Sequence, residues 1–205
     1  MNTRHFVATA LAVAIAACSE APDDAGPLAP DGDVSFARSA PIVQGTGGGA
    51  YVLPLAGIDL PGTFAFSAIQ FADGRAQGRL RFTLDVFGLA DLGLVDGQAV
   101  FHGEVTCVSH DPDNNRLWVG GVVTRNASTQ PDFAADPVAQ VGDDIWFRTV
   151  DYGEGASAEQ PDRITFTGFE GGAGIFTSEE YCATQPWPDD DARTNAVVSG
   201  NVQVH

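Results

Sequence analysis

The chain has 205 residues, with 27 acidic side chains against 10 basic ones and a formal net charge of −17. All ten basic residues are Arg, so lysine-dependent phosphate loops, Schiff bases and general bases are excluded, and the acidic balance argues against a nucleic-acid partner. An apolar share of 44 % suits a folded core, and the length suits one domain with appendages.

The first predicted element is a signal segment. Met-Asn-Thr-Arg-His precedes a 12-residue apolar run, residues 6–17. As a helix this run spans only about 18 Å, too short for a hydrocarbon core of about 30 Å. Ile15-Ala16-Ala17-Cys18 resembles a bacterial lipobox, which makes residues 1–17 a lipoprotein signal peptide and Cys18 the lipidated N-terminus. Several acyl chains hold a protein stably at a membrane where one does not. Ser19 follows, without an Asp retention signal, which fits the outer membrane in a diderm host. The competing reading is ordinary secretory cleavage at the alanines. Residues 18–48 read as the acylated cysteine and a flexible Pro/Gly/Ala/Asp linker, ending in the glycines 45 and 47–49. Residues 34–37 could add a short edge strand.

From residue 49 to 205 the pattern becomes that of a single antiparallel β domain. Phe64, Phe66 and Ala68 alternate, and Ala72-Asp73-Gly74 is a hairpin turn. Leu80, Phe82, Leu84 and Val86 then share one face of a strand, with Arg79, Arg81, Thr83 and Asp85 on the other. Residues 100–108 alternate with Phe101, Val105 and Cys107 on one side, and Leu117, Val119, Gly121 and Val123 form the inward set of the next strand. Further strands are predicted over 144–150, over 163–167 with Ile164 and Phe166 inward, and over 196–204 with Val198, Val202 and Val204 on one face. Residues 178–182 could make one helical turn. About eight strands without helical periods predict an all-β antiparallel barrel or sandwich. Cys107 and Cys182 form an even pair in an exported chain, which predicts a disulfide.

Candidate chemistry is sparse. Asp111, Asp113 and Asn115 begin like a calcium loop, but Arg116 and Val122 stand where such a loop needs Gly and Glu. Asp151, Glu154 and Asp162 gather carboxylates around glycine turns, which could bind a hard cation or act as an acid/base pair. In both groups the stronger reading is a turn whose carboxylates take backbone N–H groups, so no cofactor is expected and Ca2+ is the minor alternative. His102, Glu104 and His110 lack the companions of a zinc site. Trp118, Trp146 and Trp187 could line a ligand site, although strand aromatics usually pack. Asp189-Asp190-Asp191 reads as a solvated acidic run. No nucleophile elbow, zincin motif, Cys-x-x-Cys or dinucleotide fingerprint occurs.

Residues 103–107 (Gly-Glu-Val-Thr-Cys), 115–123, 147–155 with Pro161-Asp162, Cys182 and the ending Gly-Asn-Val-Gln-Val-His resemble a group of exported bacterial β domains of unassigned activity. The resemblance runs from about residue 60 to the end. It implies export, an all-β fold and pairing of the two distal cysteines, and it carries no activity. The turn at 110–113 is longer than is usual in that group.

The resulting expectation is a non-enzymatic cell-envelope lipoprotein, held to a membrane by its acyl anchor, with a binding or interaction domain. Its partner is an unidentified protein or small molecule. The alternatives are a lipocalin-like carrier of a small hydrophobic ligand and a hydrolase using carboxylates such as Glu104, Asp151 and Glu154.

Overall fold

The computed structural model describes residues 39–153, 158 and 160–205. The signal segment, Cys18, residues 34–37 and Glu154 lie outside the described residues.

The glycine-rich stretch expected to close the tether is instead a strand. β1 spans Pro41–Leu55, so sheet structure already runs through residues 41–48 of the expected linker. Packing explains the composition. A Cβ at Gly45 would collide with the Leu117 side chain, and one at Gly49 with the Ser199 carbonyl oxygen. Glycine here makes room for larger side chains from neighbouring staves, which a composition-based reading mistakes for flexibility.

Strands β2 (Ile58–Phe71), β3 (Ala76–Val86), β4 (Gly97–Asp111) and β5 (Arg116–Asn126) follow as antiparallel neighbours. The short helix α1 (Pro131–Ala134) leads to β6 (Asp144–Val150), which pairs with β5. β7 (Arg163–Ile164) and β8 (Gly168–Phe169) both pair with β6. Helix α2 (Ser178–Thr184) precedes β9 (Asn195–Val204), which pairs with β7 and with β1 and so closes the ring. The fold is the expected all-β architecture, with β7 and β8 as two pieces of one stave.

The predicted strand at 163–167 is interrupted for a local reason. The Thr165 hydroxyl accepts the Arg148 N–H at 2.9 Å, where a strand carbonyl would otherwise do so.

The ring is filled. Phe64, Phe66, Phe82 and Phe147 meet inside it, with the Phe147 ring 5.0 Å from that of Phe66 and 5.1 Å from that of Phe82. Phe101 packs edge-on against Phe169 at 4.9 Å. Leu60, Leu84, Leu117, Val119, Ile145, Ile164 and Val202 complete the same buried cluster. Each fully buried Leu, Ile or Phe contributes roughly 1.5–3 kcal/mol of transfer free energy, so this interior dominates the stability of the fold.

Two irregularities change faces that strict alternation had assigned. The β4–β5 register slips between Val105 and Cys107, which leaves Thr106 as an extra residue. Val108 therefore joins the interior cluster, and Cys107 turns to the outer wall instead of sharing a face with Phe101 and Val105. There it forms the disulfide with Cys182 on α2. A Cβ at Gly120 would sit 2.6 Å from both Cys107 Sγ and Ser178 Cβ, so Gly120 lets α2 lie against the wall. In β9 the register slips beside Val198, which is 62 % exposed, while Val197 takes the inward place. Val198 does not share a face with Val202 as alternation suggested.

The disulfide closes a sequence separation of 75 residues between the barrel wall and α2. Reduction, or the double substitution Cys107→Ala/Cys182→Ala, is expected to lower the unfolding free energy by about 2–5 kcal/mol. Urea unfolding of the full chain with and without reductant checks this.

Candidate functional site: an aromatic groove on the outer wall

Residues on β5 and β6 are apolar or buried on both faces, so part of the barrel exterior must be covered. On β5 the outward residues are Arg116, Trp118 and Gly120; on β6 they are Trp146 and Arg148. Trp118, Trp146, Ile175 and Tyr181 form a second buried cluster, with Trp187 packed against it. Helix α2 supplies Tyr181, whose ring stacks on Trp146 at 5.6 Å. The helix is fixed at its start by the Thr177 side chain, which accepts the Glu180 N–H. Asp144 accepts the Ser178 N–H at 2.8 Å and also the Ser178 hydroxyl.

The segment after α2 is gripped by arginines. Arg148 is only 1 % exposed; it donates to the carbonyl oxygens of Trp187 and of Asp190, the latter at 2.6 Å. The Trp118 indole donates to the Pro186 carbonyl at 3.0 Å. Arg163 donates to the Thr194 carbonyl at 2.7 Å. Arg116 pairs with the Asp191 carboxylate at 3.3 Å, and the Tyr152 hydroxyl donates to the same carboxylate at 2.7 Å. The acidic run expected to be solvated is therefore divided. Asp189 is 92 % exposed, whereas Asp190 and Asp191 hold the segment to the wall.

This grip fixes an unusual backbone. Gln185 and Trp187 have φ of 46° and 55°, the left-handed region, and each precedes a proline. For a residue as large as Trp this conformation is strained and persists only because its surroundings impose it. The result presents the Trp187 ring at a groove of about 470 Å³, under the Arg193 guanidinium 4.5 Å from its centroid. Trp146 and Tyr181 form another part of the lining, and Thr165, Thr167 and Asn195 add polar groups. Thr167 is 7 % exposed, and its buried hydroxyl oxygen has no hydrogen-bond partner among the described residues.

The groove opens where sheet pairing stops. β9 pairs with β1 only as far as Tyr51–Val197, and with β7 only over Arg163–Ala196 and Ile164–Asn195. Leu53 and Pro54 on the continuing end of β1 then face residues 165–168 across the opening. Pro54 cannot donate a ladder hydrogen bond, which suits this unpaired edge.

The sequence-predicted polar sites behave as turns. Asp111 accepts the Asp113 N–H at 3.1 Å and the Asn114 amide at 2.8 Å; the Asn114 bond is the main reason its carboxyl sits below the usual range. Asp151 accepts from Gly153 N–H and Val204 N–H, and Asp162 from Tyr152 N–H and Val202 N–H. Asp113, Asn115 and Asp151 do converge on one shallow cleft with Arg116 and Tyr152. Among the described residues, however, no three His, Cys, Asp or Glu side chains are placed to hold a metal ion. Glu104 lies on the outer wall of β4, lining a different groove from the Asp151 cleft. Of the three tryptophans, all join the outer cluster and Trp146 and Trp187 line the groove. Sequence reasoning missed Tyr181, Arg193, Thr165, Thr167 and Asn195. The available signal was the pairing of Arg and Trp at alternate positions, 116/118 and 146/148, on strands whose other face was already apolar.

Comparison with protein families, curated proteins and solved structures finds no match to this chain.

The Asp191 carboxyl is pulled two ways. Partial burial alone would raise its pKa, but the Tyr152 hydroxyl and Arg116 guanidinium outweigh that and hold it below the ordinary value. The unfolded chain therefore binds this proton more readily than the folded one. The stabilisation is present above about pH 4 and is lost as pH falls through the lowered folded value. Asp191→Asn is expected to flatten this part of the stability profile, measured by urea midpoints between neutral and acidic pH.

Proposed function

We propose that this chain is a non-enzymatic, lipid-anchored binding protein of the cell envelope, and that its outer-wall groove takes a neutral saccharide. The observation that carries the reading is a groove walled by Trp146, Tyr181 and the strained Trp187, with the polar side chains of Thr165 and Asn195 beside them. Sugar rings offer an apolar face for stacking and hydroxyls around the edge, which matches aromatic walls beside Thr165, Thr167 and Asn195. The volume lies within the range of small-molecule sites. Arg193, the one cation lining the groove among the described residues, is paired with Asp190 at 3.0 Å, which favours an uncharged ligand.

The packed interior favours this exterior site over a hollow carrier, since the aromatic rings described above occupy the space a carrier would need. Attachment through Cys18 rests on the lipobox, and the disulfide fits an oxidising compartment.

Titration of the full chain with maltotriose, cellotriose and chitotriose, followed by tryptophan fluorescence, is expected to give saturable binding to at least one. Trp187→Ala should weaken it by at least about tenfold, as loss of a central aromatic anchor does. Absence of binding to neutral sugars of any linkage would remove the reading.

The anchor has its own test. Cys18→Ser is expected to abolish acyl labelling and release the chain from the membrane pellet; a variant that still pellets and labels would overturn lipidation at Cys18.

A further inference from the structure

Eight of the arginines lie among the described residues, and five are committed to this chain's own groups. Arg75 pairs with Asp73 and Arg193 with Asp190. Arg116, Arg148 and Arg163 hold the segment after α2. The remaining three, Arg79, Arg81 and Arg125, have no ion pair among the described residues, and they are neighbours. Sheet register aligns Arg81 on β3 with His102 on β4, and His102 with Arg125 on β5. Three basic side chains thus stand in one row across three strands. Arg79 lies two residues from Arg81 on the same face, opposite Glu104.

Cross-strand partners have Cβ atoms about 4.5–5.5 Å apart, where like charges repel. The single carboxylate of Glu104 does not balance three guanidinium groups. The wall at this place is concave: a groove of about 630 Å³ is lined by Ser67, Arg79, Arg81, His102, Glu104 and Thr124, among others. Thr124 reaches it because the β4–β5 register slips between His102 and Gly103, leaving Thr124 as an extra outward residue.

We propose that this row is an anion site, in which Arg79, Arg81 and His102 lining the groove, with Arg125 in register beside His102, bind the phosphate or sulfate group of a small soluble ligand. Guanidinium groups present planar, paired N–H donors that match tetrahedral oxyanions. Ser67 and Thr124 supply hydroxyls at the same groove. The overall charge of −17 does not oppose this, because screening at physiological salt acts over about 8 Å and leaves the local row dominant.

His102 reports the event. Its burial, then the charges of Arg81 and Arg125, hold its imidazole below the ordinary pKa. Glu104, two residues away on β4, and Arg79 across from it are the other charges at this groove. An anion between the guanidinium groups would stabilise the imidazolium and raise the pH at which His102 titrates.

The experiment is an NMR titration of the His102 ring in the full chain with inorganic phosphate, and separately with sulfate. The expected result is a saturable shift and an upward move of the titration midpoint. Arg81→Gln and Arg125→Gln should each weaken the response roughly five- to tenfold. Arg75→Gln removes the same charge outside the groove and should leave it unchanged. A non-saturable response, or an equal loss in Arg75→Gln, would overturn the proposal in favour of diffuse charge effects. Phosphatidylglycerol vesicles form the last arm: a shift with vesicles but none with free phosphate would overturn the soluble ligand and assign the row to a lipid surface. The wild-type titration alone decides the matter if the substituted chains fail to fold.

Discussion

The buried guanidinium of Arg148 is the constraint around which the outer half of the molecule is built. It sits on the exterior of a barrel stave, beside the Trp118 ring, yet is almost fully removed from water. Burial pushes its pKa down, against the pull of Tyr181 and Asp191. A charge in such a place is costly unless its donors are taken, and removing its partners typically costs about 3–5 kcal/mol. The carbonyl oxygens of Trp187 and Asp190 take its two terminal nitrogens, while Nε has no hydrogen-bond partner among the described residues. That requirement brings the segment after α2 onto the wall, buries Trp118 and sets the strained turn at Trp187. The groove is thus a consequence of satisfying one charge.

The interior plays the opposite part. Eight staves make a ring just wide enough for side chains to fill. Here bulky aromatics fill it, and β1 beside them carries glycine at 45 and 47–49: a Cβ at Gly47 would sit 2.5 Å from the Phe66 ring. The barrel interior is packed solid, which leaves the outer wall as the place where a groove can form. Rigidity matters for a site made of stacked rings, because holding Trp146 and Tyr181 in place before binding reduces the entropy a ligand must overcome.

Much of this was legible in the sequence. The β3 alternation of Leu80, Phe82, Leu84 and Val86 faces the core as written, and so do Leu117, Val119 and Val123. The pairing of Cys107 with Cys182 was also accessible from cysteine count and compartment. What failed was local. Period two continues only while pairing stays in register, so the slips at Thr106 and Val198 turned Cys107 and Val198 to the other face. The glycines of β1 were misread because their small size answers to distant residues, Leu117 and Phe66, rather than to sequence neighbours. The aromatic groove was illegible for a related reason: it joins β1, β6, α2 and the turn at residue 187, four segments that only closure of the ring brings together.

The distribution of arginine separates architecture from function. In an acidic chain without Lys, each guanidinium has carboxylates and carbonyls to choose from, and five of those described have found them. Each such pairing removes repulsion from an acidic surface or fixes a turn, which suffices to explain its presence. Arg79, Arg81 and Arg125 stabilise nothing comparable, and the row they form with His102 works against the sheet that carries it. A scaffold selected only for stability would place carboxylates opposite them, as happens with Glu104 at a single position. Like charge on neighbouring strands lowers sheet stability, so the demands of the scaffold do not account for this row.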